Sequence, residues 1–122
     1  LFVYISYVDK YGNVTHITEG QFRGLHRKES NKKSPVPTFA PYHTFNKEDA
    51  LPWIPNKVEK IHFELIPTSH LLKKGERIRI SIAGADIDHF DEIDDAACNP
   101  SSMQIFCTKE FASAVHLPLM VI

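Results

Sequence analysis

Residues 62–90 read HFELIPTSHLLKKGERIRISIAGADIDHF, and the alternation of their side chains decides the fold. In Arg77–Ala85, isoleucines fall on one face and polar residues on the other, which is the two-residue period of a β-strand. Val58–Ile66 alternates in the same way. The stretch therefore predicts two strands that face a core, joined by a turn in which Gly75 permits the chain reversal.

The charges of these two segments suggest how the strands would pair. Glu59 and Glu64 lie in the first segment, and Arg77 and Arg79 lie in the second. If the two strands are neighbours, a glutamate lies opposite an arginine, a pairing worth roughly 0.2–1 kcal/mol.

Strand-like segments continue on both sides of this stretch. Leu1–Val8 is apolar on both faces, as expected for a central strand, and Asp9–Asn13 has the composition of a hairpin loop. Further strands are predicted at Val14–Thr18, Gln21–His26, Met103–Thr108 and Ala114–Met120, with a break at Glu19-Gly20. Many short strands and almost no helix predict an all-β fold, an antiparallel β-sandwich.

Residues 27–57 depart from this pattern. They begin with the charged run RKESNKKS and carry prolines at 35, 37, 41, 52 and 55, which interrupt any regular element. The large aromatics among them are Phe39, Tyr42, Phe45 and Trp53. Because a free linker would not be this apolar, we expect an ordered, extended arm whose aromatics pack on a surface. Glu48–Leu51 is expected to form a single helical turn capped by Asn46.

The composition limits the class of protein. At 122 residues, with 43% hydrophobic and 24% charged residues, the chain has room for one domain with a core. A formal net charge of −1 gives no basic excess, so we expect neither nucleic acid nor a membrane surface as a partner. The chain starts with LFVYISYV and without Met. Since termini fray, a start inside an apolar strand predicts a portion of a longer protein.

The sequence lacks the motifs of the common catalytic and cofactor sites. It has no G-x-S-x-G nucleophile elbow, no Gly-rich phosphate loop and no C-x-x-C. Seven histidines are scattered without the H-x-x-x-H spacing of a helical metal site. We therefore predict no catalytic residue, no cofactor and no metal ligand set. Cys98 and Cys107 fit two free thiols, the favoured interpretation, or one hairpin-closing bridge.

A dense cluster of charged side chains stands out at the end of the quoted stretch. It comprises Asp86, Asp88, His89, Asp91, Glu92, Asp94 and Asp95. Calcium uses about six to eight oxygen ligands, but the EF-hand pattern fails because its sixth position is Asp91 rather than glycine. A solvated turn in which aspartates cap backbone N–H groups is favoured, while a structural Ca²⁺ site and an interface remain open.

Four stretches of the chain carry a family resemblance. They are LFVYISYVDKYGNVTHITEGQFRGLHR (1–27), PYHTFNKEDALPWIPNKV (41–58), FELIPTSHLLKKGERIRISIAGADIDHF (63–90) and AVHLPLMVI (114–122). Together, and in this order, they resemble the C-terminal, non-catalytic domain of X-Pro dipeptidyl-peptidases and cocaine-esterase-like (CocE/NonD) hydrolases. The loop AACNPSS (96–102) and the two cysteines depart from the family pattern.

The resemblance implies a jelly-roll β-sandwich similar to galactose-binding domains, of which residues 1–122 form an incomplete portion. In the family this domain follows an α/β-hydrolase domain with a Ser-His-Asp triad, and the parent enzymes cleave X-Pro dipeptides, esters or acylated amines. No triad residue of the family falls on a position of this sequence. The resemblance therefore implies an accessory domain of a serine hydrolase.

Two surfaces are predicted to contact that catalytic domain, the loop Asp86–Phe90 and the part of the aromatic arm from Pro41 to Trp53. The predicted contact residues are Asp86, Asp88, His89, Phe90, Tyr42, Phe45 and Trp53. The alternative is a free-standing module that binds carbohydrate or peptide through the arm's aromatics. Because an incomplete jelly roll exposes apolar strand edges, we also expect the isolated chain to self-associate.

Overall fold

The computed structural model describes residues 1–91 and 102–120. Its regular structure is one antiparallel sheet of three strands in the order β2-β1-β3. The strands are β1 (Phe2–Val8), β2 (Val14–Gln21) and β3 (Arg77–Ala83). Two single turns of 3₁₀ helix, Gly24–His26 and Lys47–Asp49, are the helices of the described residues. The predicted all-β class is confirmed, while the jelly-roll arrangement stays a prediction.

The central position of β1 follows from its sequence. Val3 lies opposite Gly20 of β2 and Ile82 of β3, and the pairing continues on both edges to Val8. Val3 and Ile5, which share one face of the strand, are buried, whereas Phe2 and Tyr4 on the other face are half-buried, so the strand is buried on one face rather than on both. The hairpin after β1 closes as predicted, because the Asp9 carboxylate accepts the N–H groups of Tyr11 (2.8 Å) and Asn13 (2.9 Å).

The predicted break in β2 is wrong. The strand runs through Glu19 and Gly20 to Gln21, because the missing side chain of Gly20 makes room for a neighbour. A Cβ at this position would lie 2.7 Å from the Leu65 Cδ2 atom. Glycine here serves close packing rather than a turn.

The strand predicted at Gln21–His26 is also wrong, because the chain leaves the sheet and forms the 3₁₀ turn Gly24–His26. The reason again lies at a glycine. A Cβ on Gly24 would lie 2.1 Å from Cζ2 of Trp53, so the arm's indole packs directly on this turn.

The strand predicted at Val58–Ile66 is absent from the described structure, and the segment does not pair with β3. It meets the outer edge of β2 instead, where the Ile66 N–H donates to the Glu19 carbonyl (2.8 Å). The Thr18 hydroxyl donates to the Ile66 carbonyl (2.6 Å). β3 takes the other edge of β1, with Arg79 opposite Ser6 and Arg77 opposite Val8.

The predicted pairing of Glu59 or Glu64 with Arg77 or Arg79 is therefore wrong. Glu59 forms ion pairs with Arg27 and Lys57, and Glu64 accepts the hydroxyl of Thr38. The two glutamates hold the arm rather than a strand, because Val58–Ile66 lies beside the arm and not beside β3.

Ile78, Ile80 and Ile82 share one face of β3, as the alternation predicts. Their expected burial is not observed, because they are between 37% and 46% exposed. Within the described residues, β3 therefore presents an apolar stripe at an edge of the sheet.

The chain divides into two compact units, residues 1–92 and 93–122. In the described part of the second unit, 102–120, the strands predicted at Met103–Thr108 and Ala114–Met120 are not formed. A local turn stands there, in which the Thr108 N–H donates to the Phe111 carbonyl (3.2 Å). Cys107 is a free, exposed thiol, and Cys98 lies outside the described residues. None of the described helices is long and apolar enough to cross a membrane.

Candidate interaction surface

The arm is ordered by one buried arginine, the first residue of the charged run RKESNKKS. Arg27 is 9% exposed, and its guanidinium donates to the carbonyls of Gly24 (3.1 Å), Leu51 and Pro52 (3.2 Å). It also pairs with Glu59 (3.3 Å). A guanidinium has donors in a rigid fork, so one side chain can hold several carbonyls at once.

Trp53 completes this arrangement. Its ring lies 4.9 Å from the Arg27 guanidinium carbon, within the range of a cation–π contact. The predicted packing of the arm's aromatics is thus met at Trp53, which rests on the guanidinium and on Gly24. Phe39 is the counter-example, because it is almost fully exposed.

The predicted helical turn in the arm begins one residue early, at Lys47, and is a 3₁₀ turn. Asn46 lies at its N-cap without a side-chain capping bond. Its backbone carbonyl accepts the Asp49 N–H instead (3.1 Å). The Thr44 hydroxyl donates to the Asp49 carboxylate (2.6 Å), a side-chain contact that ties the turn to the preceding residues.

A second group of rings packs around Phe22, which is buried. Phe63 stacks on it at 5.2 Å between centroids, and His43 and Phe45 approach it at 4.8 and 6.0 Å. Phe45 has a φ of +56°, a backbone conformation uncommon for a residue with a Cβ. The rings of this cluster fix the middle of the arm against the end of β2.

An open cleft lies beside this cluster, with a volume of about 320 Å³. Tyr42, Phe45 and Phe63 line it together with Glu64. Of the three arm aromatics predicted to form a contact surface, Tyr42 and Phe45 therefore share one cleft. Trp53 belongs to the separate arrangement around Arg27.

The acidic loop after β3 is a braced turn over the residues that the structure describes. The Asp86 carboxylate accepts the Tyr4 hydroxyl (2.5 Å) and lies 3.0 Å from Nδ1 of His89. The Asp86 carbonyl accepts the Phe90 N–H (2.9 Å), and the Phe90 ring packs on Phe2 with centroids 5.0 Å apart. The loop is thereby attached to β1 at two points.

The ionisation of these groups is shifted by their mutual contacts. The hydrogen bond from Tyr4, followed by that from His89, lowers the pKa of Asp86. The same carboxylate raises the pKa of His89 and, through its hydrogen bond, that of Tyr4 to about 12. All three shifts favour a charged Asp86, a charged His89 and a neutral Tyr4.

The other acidic residues of the cluster fall into two groups. Asp88 and Asp91 are exposed, whereas Glu92, Asp94 and Asp95 lie outside the described residues. Over residues 1–91 and 102–120, no group of three or more His, Cys, Asp or Glu side chains is arranged to hold a metal ion. The Asp86 carboxylate binds the side chains of Tyr4 and His89, so the solvated turn with aspartate caps that the sequence favours stays a prediction.

Sequence reasoning missed the two polar residues that organise the arm, Arg27 and His43. Both are buried, yet Arg27 opens a charged run and His43 is one of several scattered histidines. A weak signal was present, since a lone histidine between Pro41 and Phe45 sits among residues expected to pack.

Comparison with known proteins supplies the family. Residues 1–116 match the family described as the X-Pro dipeptidyl-peptidase C-terminal non-catalytic domain. Two relatives, one from Mycobacterium bovis and one from Mycobacterium tuberculosis, are each 41% identical to this chain over 119 residues. Each is named a candidate serine esterase, and the alignment covers 98% of this chain but 18% of the relative.

No solved structure matches the chain. The family match extends over nearly the whole sequence and includes all three strands of the sheet. This chain therefore belongs to the family of X-Pro dipeptidyl-peptidase C-terminal non-catalytic domains.

Proposed function

We propose that this chain is the accessory domain of a serine hydrolase, an X-Pro dipeptidyl-peptidase or an acyl esterase, and supports an α/β-hydrolase catalytic domain of the same protein. The observation that carries the proposal is the match of residues 1–116 to a non-catalytic peptidase domain. The names of the two relatives support the hydrolase class, and the 18% coverage leaves most of each relative for a catalytic domain.

The braced turn is the first proposed contact with the catalytic domain. Because Asp86 is held by Tyr4 and His89, the loop presents its next residues in a fixed arrangement at little further cost in conformational entropy. Ile87 is 79% exposed, an apolar side chain between Asp86 and Asp88 in the sequence. Pre-ordered loops with an exposed apolar residue are suited to docking on a second domain.

The arm is the second proposed contact and would border the substrate entrance. Phe45 and Trp53 are exposed on their outer faces although their inner faces are fixed by Phe22 and by Arg27. Rigid aromatics of this kind often act as anchors at interfaces, because they bury a large area and lose little conformational freedom.

Alanine substitution in the full-length protein tests the loop contact. We expect the triple variant Asp88→Ala, His89→Ala, Phe90→Ala to lower the melting temperature or the esterase and X-Pro peptidase turnover. The matched control is Lys32→Ala, Lys33→Ala in the exposed start of the arm, which should change neither. A triple variant with wild-type melting temperature and turnover would remove the loop from the proposal.

A free-standing carbohydrate- or peptide-binding module is the second candidate, and the aromatic cleft favours it. Tyr42 and Phe45 line a volume of about 320 Å³ next to the Glu64 carboxylate, and sugar and proline-rich ligands both stack on aromatic faces. Calorimetry with oligosaccharides and proline-containing peptides, on wild type and Phe45→Ala, separates the candidates. Micromolar binding lost in Phe45→Ala would support the module, and no heat with either ligand class would remove it.

A further inference from the structure

Phe39 is 96% exposed, the highest fraction of any large hydrophobic side chain among the described residues. Val36, three positions earlier in the arm, is 64% exposed. A single exposed apolar side chain is ordinary on a protein surface. What the exposure of Phe39 means is therefore decided by the backbone that carries the ring.

That backbone is tied down by the carboxylate of Glu64. The Phe39 N–H donates to one carboxylate oxygen (2.6 Å), and the Thr38 hydroxyl donates to the other (2.7 Å). Hydrogen bonds to an ionised carboxylate are among the stronger ones in proteins. The bond from Thr38, followed by that from Phe39, lowers the pKa of Glu64 and favours the charged acceptor.

The loop around Phe39 has little conformational freedom left. Prolines restrict the backbone on both sides of the ring, at positions 35, 37 and 41. The Thr38 hydroxyl also accepts the Ala40 N–H (3.2 Å). Thr38 and Ala40 line the cleft beside Phe22, whereas the Phe39 ring between them is exposed to solvent. A ring presented on such a loop loses little conformational entropy when it binds.

The size of the exposed patch limits what it can bind. A phenylalanine buries about 150–250 Å², whereas a stable interface between separate proteins buries roughly 1,200–2,000 Å² in total. Phe39 and Val36 are by themselves too small a patch to hold a separate chain. They suffice for contact with another domain of the same polypeptide, because the covalent connection already keeps the two at a high effective concentration. The alignment covers only 18% of each relative, so a parent protein of that size has a much larger part for the ring to contact.

We propose that Phe39 inserts into an apolar pocket on the catalytic domain of the same polypeptide, from a loop that Glu64 holds in the bound conformation. This inference rests on the function proposed above and adds a contact residue to the arm. Phe39 is the anchor, in the sense that its ring is buried by the partner domain. Glu64 is a positioning residue, because it acts on the partner only through the direction in which it holds the ring.

Photo-crosslinking in the full-length protein tests the contact. The photoreactive amino acid p-benzoyl-phenylalanine, placed at Phe39, bonds on irradiation to C–H groups beside it, and mass spectrometry identifies the captured peptide. We expect capture of a peptide from the catalytic domain in a product of monomer size. Capture of residues 93–122, capture of a second copy of the protein, or no capture would overturn the proposal.

The matched control places the same photoreactive residue at Tyr11. Tyr11 is 78% exposed and lies in the hairpin loop after β1, outside the arm. It should not capture the catalytic domain. Equal capture from the two positions would mean that the contact is not specific to Phe39, and the proposal would be wrong.

The role of Glu64 is tested by the yield of the same crosslink. Glu64→Gln should lower capture from position 39 about twofold or more, because glutamine offers one acceptor oxygen where glutamate offers two. The control Glu76→Gln alters a carboxylate that accepts the Lys73 N–H (2.8 Å) in a turn outside the arm, and should leave the yield unchanged. Equal yields for the two variants would overturn the positioning role. Thr38→Val, which removes one of the two hydrogen bonds, gives the same comparison if Glu64→Gln does not fold.

Ester and X-Pro peptide turnover of the cross-linking protein separates this inference from the function on which it rests. A protein that hydrolyses either substrate class but captures nothing from position 39 would remove the Phe39 contact alone. A protein that hydrolyses neither would remove the proposed function, and the inference with it.

Discussion

At the scale of single residues, buried polar side chains organise this chain more than its apolar core does. Val3, Ile5 and Phe22 are the buried hydrophobic residues among those described, which is a small core. Arg27 compensates by binding carbonyls of the 3₁₀ turn and of the arm. Removing such a residue leaves several acceptors unsatisfied, which costs more than the loss of one surface ion pair.

Arg27→Ala should therefore destabilise the chain strongly. We expect a loss of about 2–4 kcal/mol in the free energy of unfolding, since the substitution removes a buried cation that holds three carbonyls and Glu59. Denaturant titration followed by the fluorescence of Trp53, the chain's single tryptophan, measures it. The control Arg23→Ala alters a neighbouring arginine and should stay within about 0.5 kcal/mol of wild type. Equal values for the two variants would contradict the role given to Arg27.

Gly24→Ala should destabilise the chain through the arm. The added Cβ would lie 2.1 Å from Cζ2 of Trp53, so the indole must move, at a cost of about 1–3 kcal/mol. Gly84→Ala is the matched control, because its Cβ would meet nothing within 4 Å. Thermal unfolding of both variants compares them, and a Gly24→Ala protein as stable as Gly84→Ala would show that the arm is not fixed at this turn.

At the scale of elements, the loop after β3 behaves as one unit with β1, since Tyr4 and Phe2 hold it at Asp86 and Phe90. The contribution of Asp86 and His89 to the stability of this loop is limited to a range of pH. The lowered pKa of Asp86 gives stability that is present above the ordinary range of an aspartate and is lost as pH falls through the lowered value. The raised pKa of His89 gives stability that is present at lower pH and is lost as pH rises through the raised value. The contact between Asp86 and His89 therefore stabilises the loop most in the pH range between the lowered pKa of Asp86 and the raised pKa of His89.

Asp86→Asn should return the pKa of His89 toward its ordinary value, because the largest cause of its rise is the hydrogen bond to Asp86. NMR titration of the His89 ring protons measures the change. Asp91→Asn, a nearby charge change outside this group of contacts, should leave the His89 midpoint where it is in wild type. A midpoint insensitive to Asp86→Asn would mean that the pair does not form in solution.

The same element shows how far sequence reasoning could reach. The alternation at 78, 80 and 82 predicts the strand and its apolar face, and the doubly apolar Leu1–Val8 predicts the central strand. Which strands pair with each other could not be predicted, because alternation specifies the face that a residue occupies but not the edge that a strand joins. Val58–Ile66 has the same period as β3, yet it meets β2 through Ile66.

The candidate surface was also predicted only in part, because a local sequence pattern does not show which distant segments come into contact. The clustering of charges identifies the loop, and the aromatics identify the arm. The contact of Asp86 with Tyr4 joins residues 82 positions apart, and nothing in either local sequence indicates it. Buried charges such as Arg27 are equally hidden, because burial is decided by distant segments.

At the scale of the whole molecule, β3 lies at one end of the strand order and carries three partly exposed isoleucines, Ile78, Ile80 and Ile82. Unpaired strand edges with apolar side chains promote pairing between chains. In the intact protein we propose that this stripe is covered by other parts of the parent hydrolase, in keeping with the jelly roll that the family resemblance implies.

The isolated 122-residue chain should therefore self-associate, and Ile80→Lys should shift it toward monomer by placing a charge in the middle of the stripe. Sedimentation velocity over a concentration series measures the change. Leu71→Lys, an equally drastic change at a more exposed residue outside the sheet, should leave the association of the wild type unaltered. A wild-type chain that stays monomeric at high concentration would count against the proposal.

The pairing order of the sheet has a consequence for biosynthesis. Phe2 lies opposite Ala83, so β1 cannot pair with β3 until the ribosome has made some eighty further residues after β1. At about 5–20 residues per second, the β1–β2 hairpin exists for several seconds before its third strand arrives. Pairs so distant in sequence also slow folding, because a long loop must close before the contact stabilises it. The nascent chain is therefore exposed to mispairing longest at β1, the strand that later becomes its most protected.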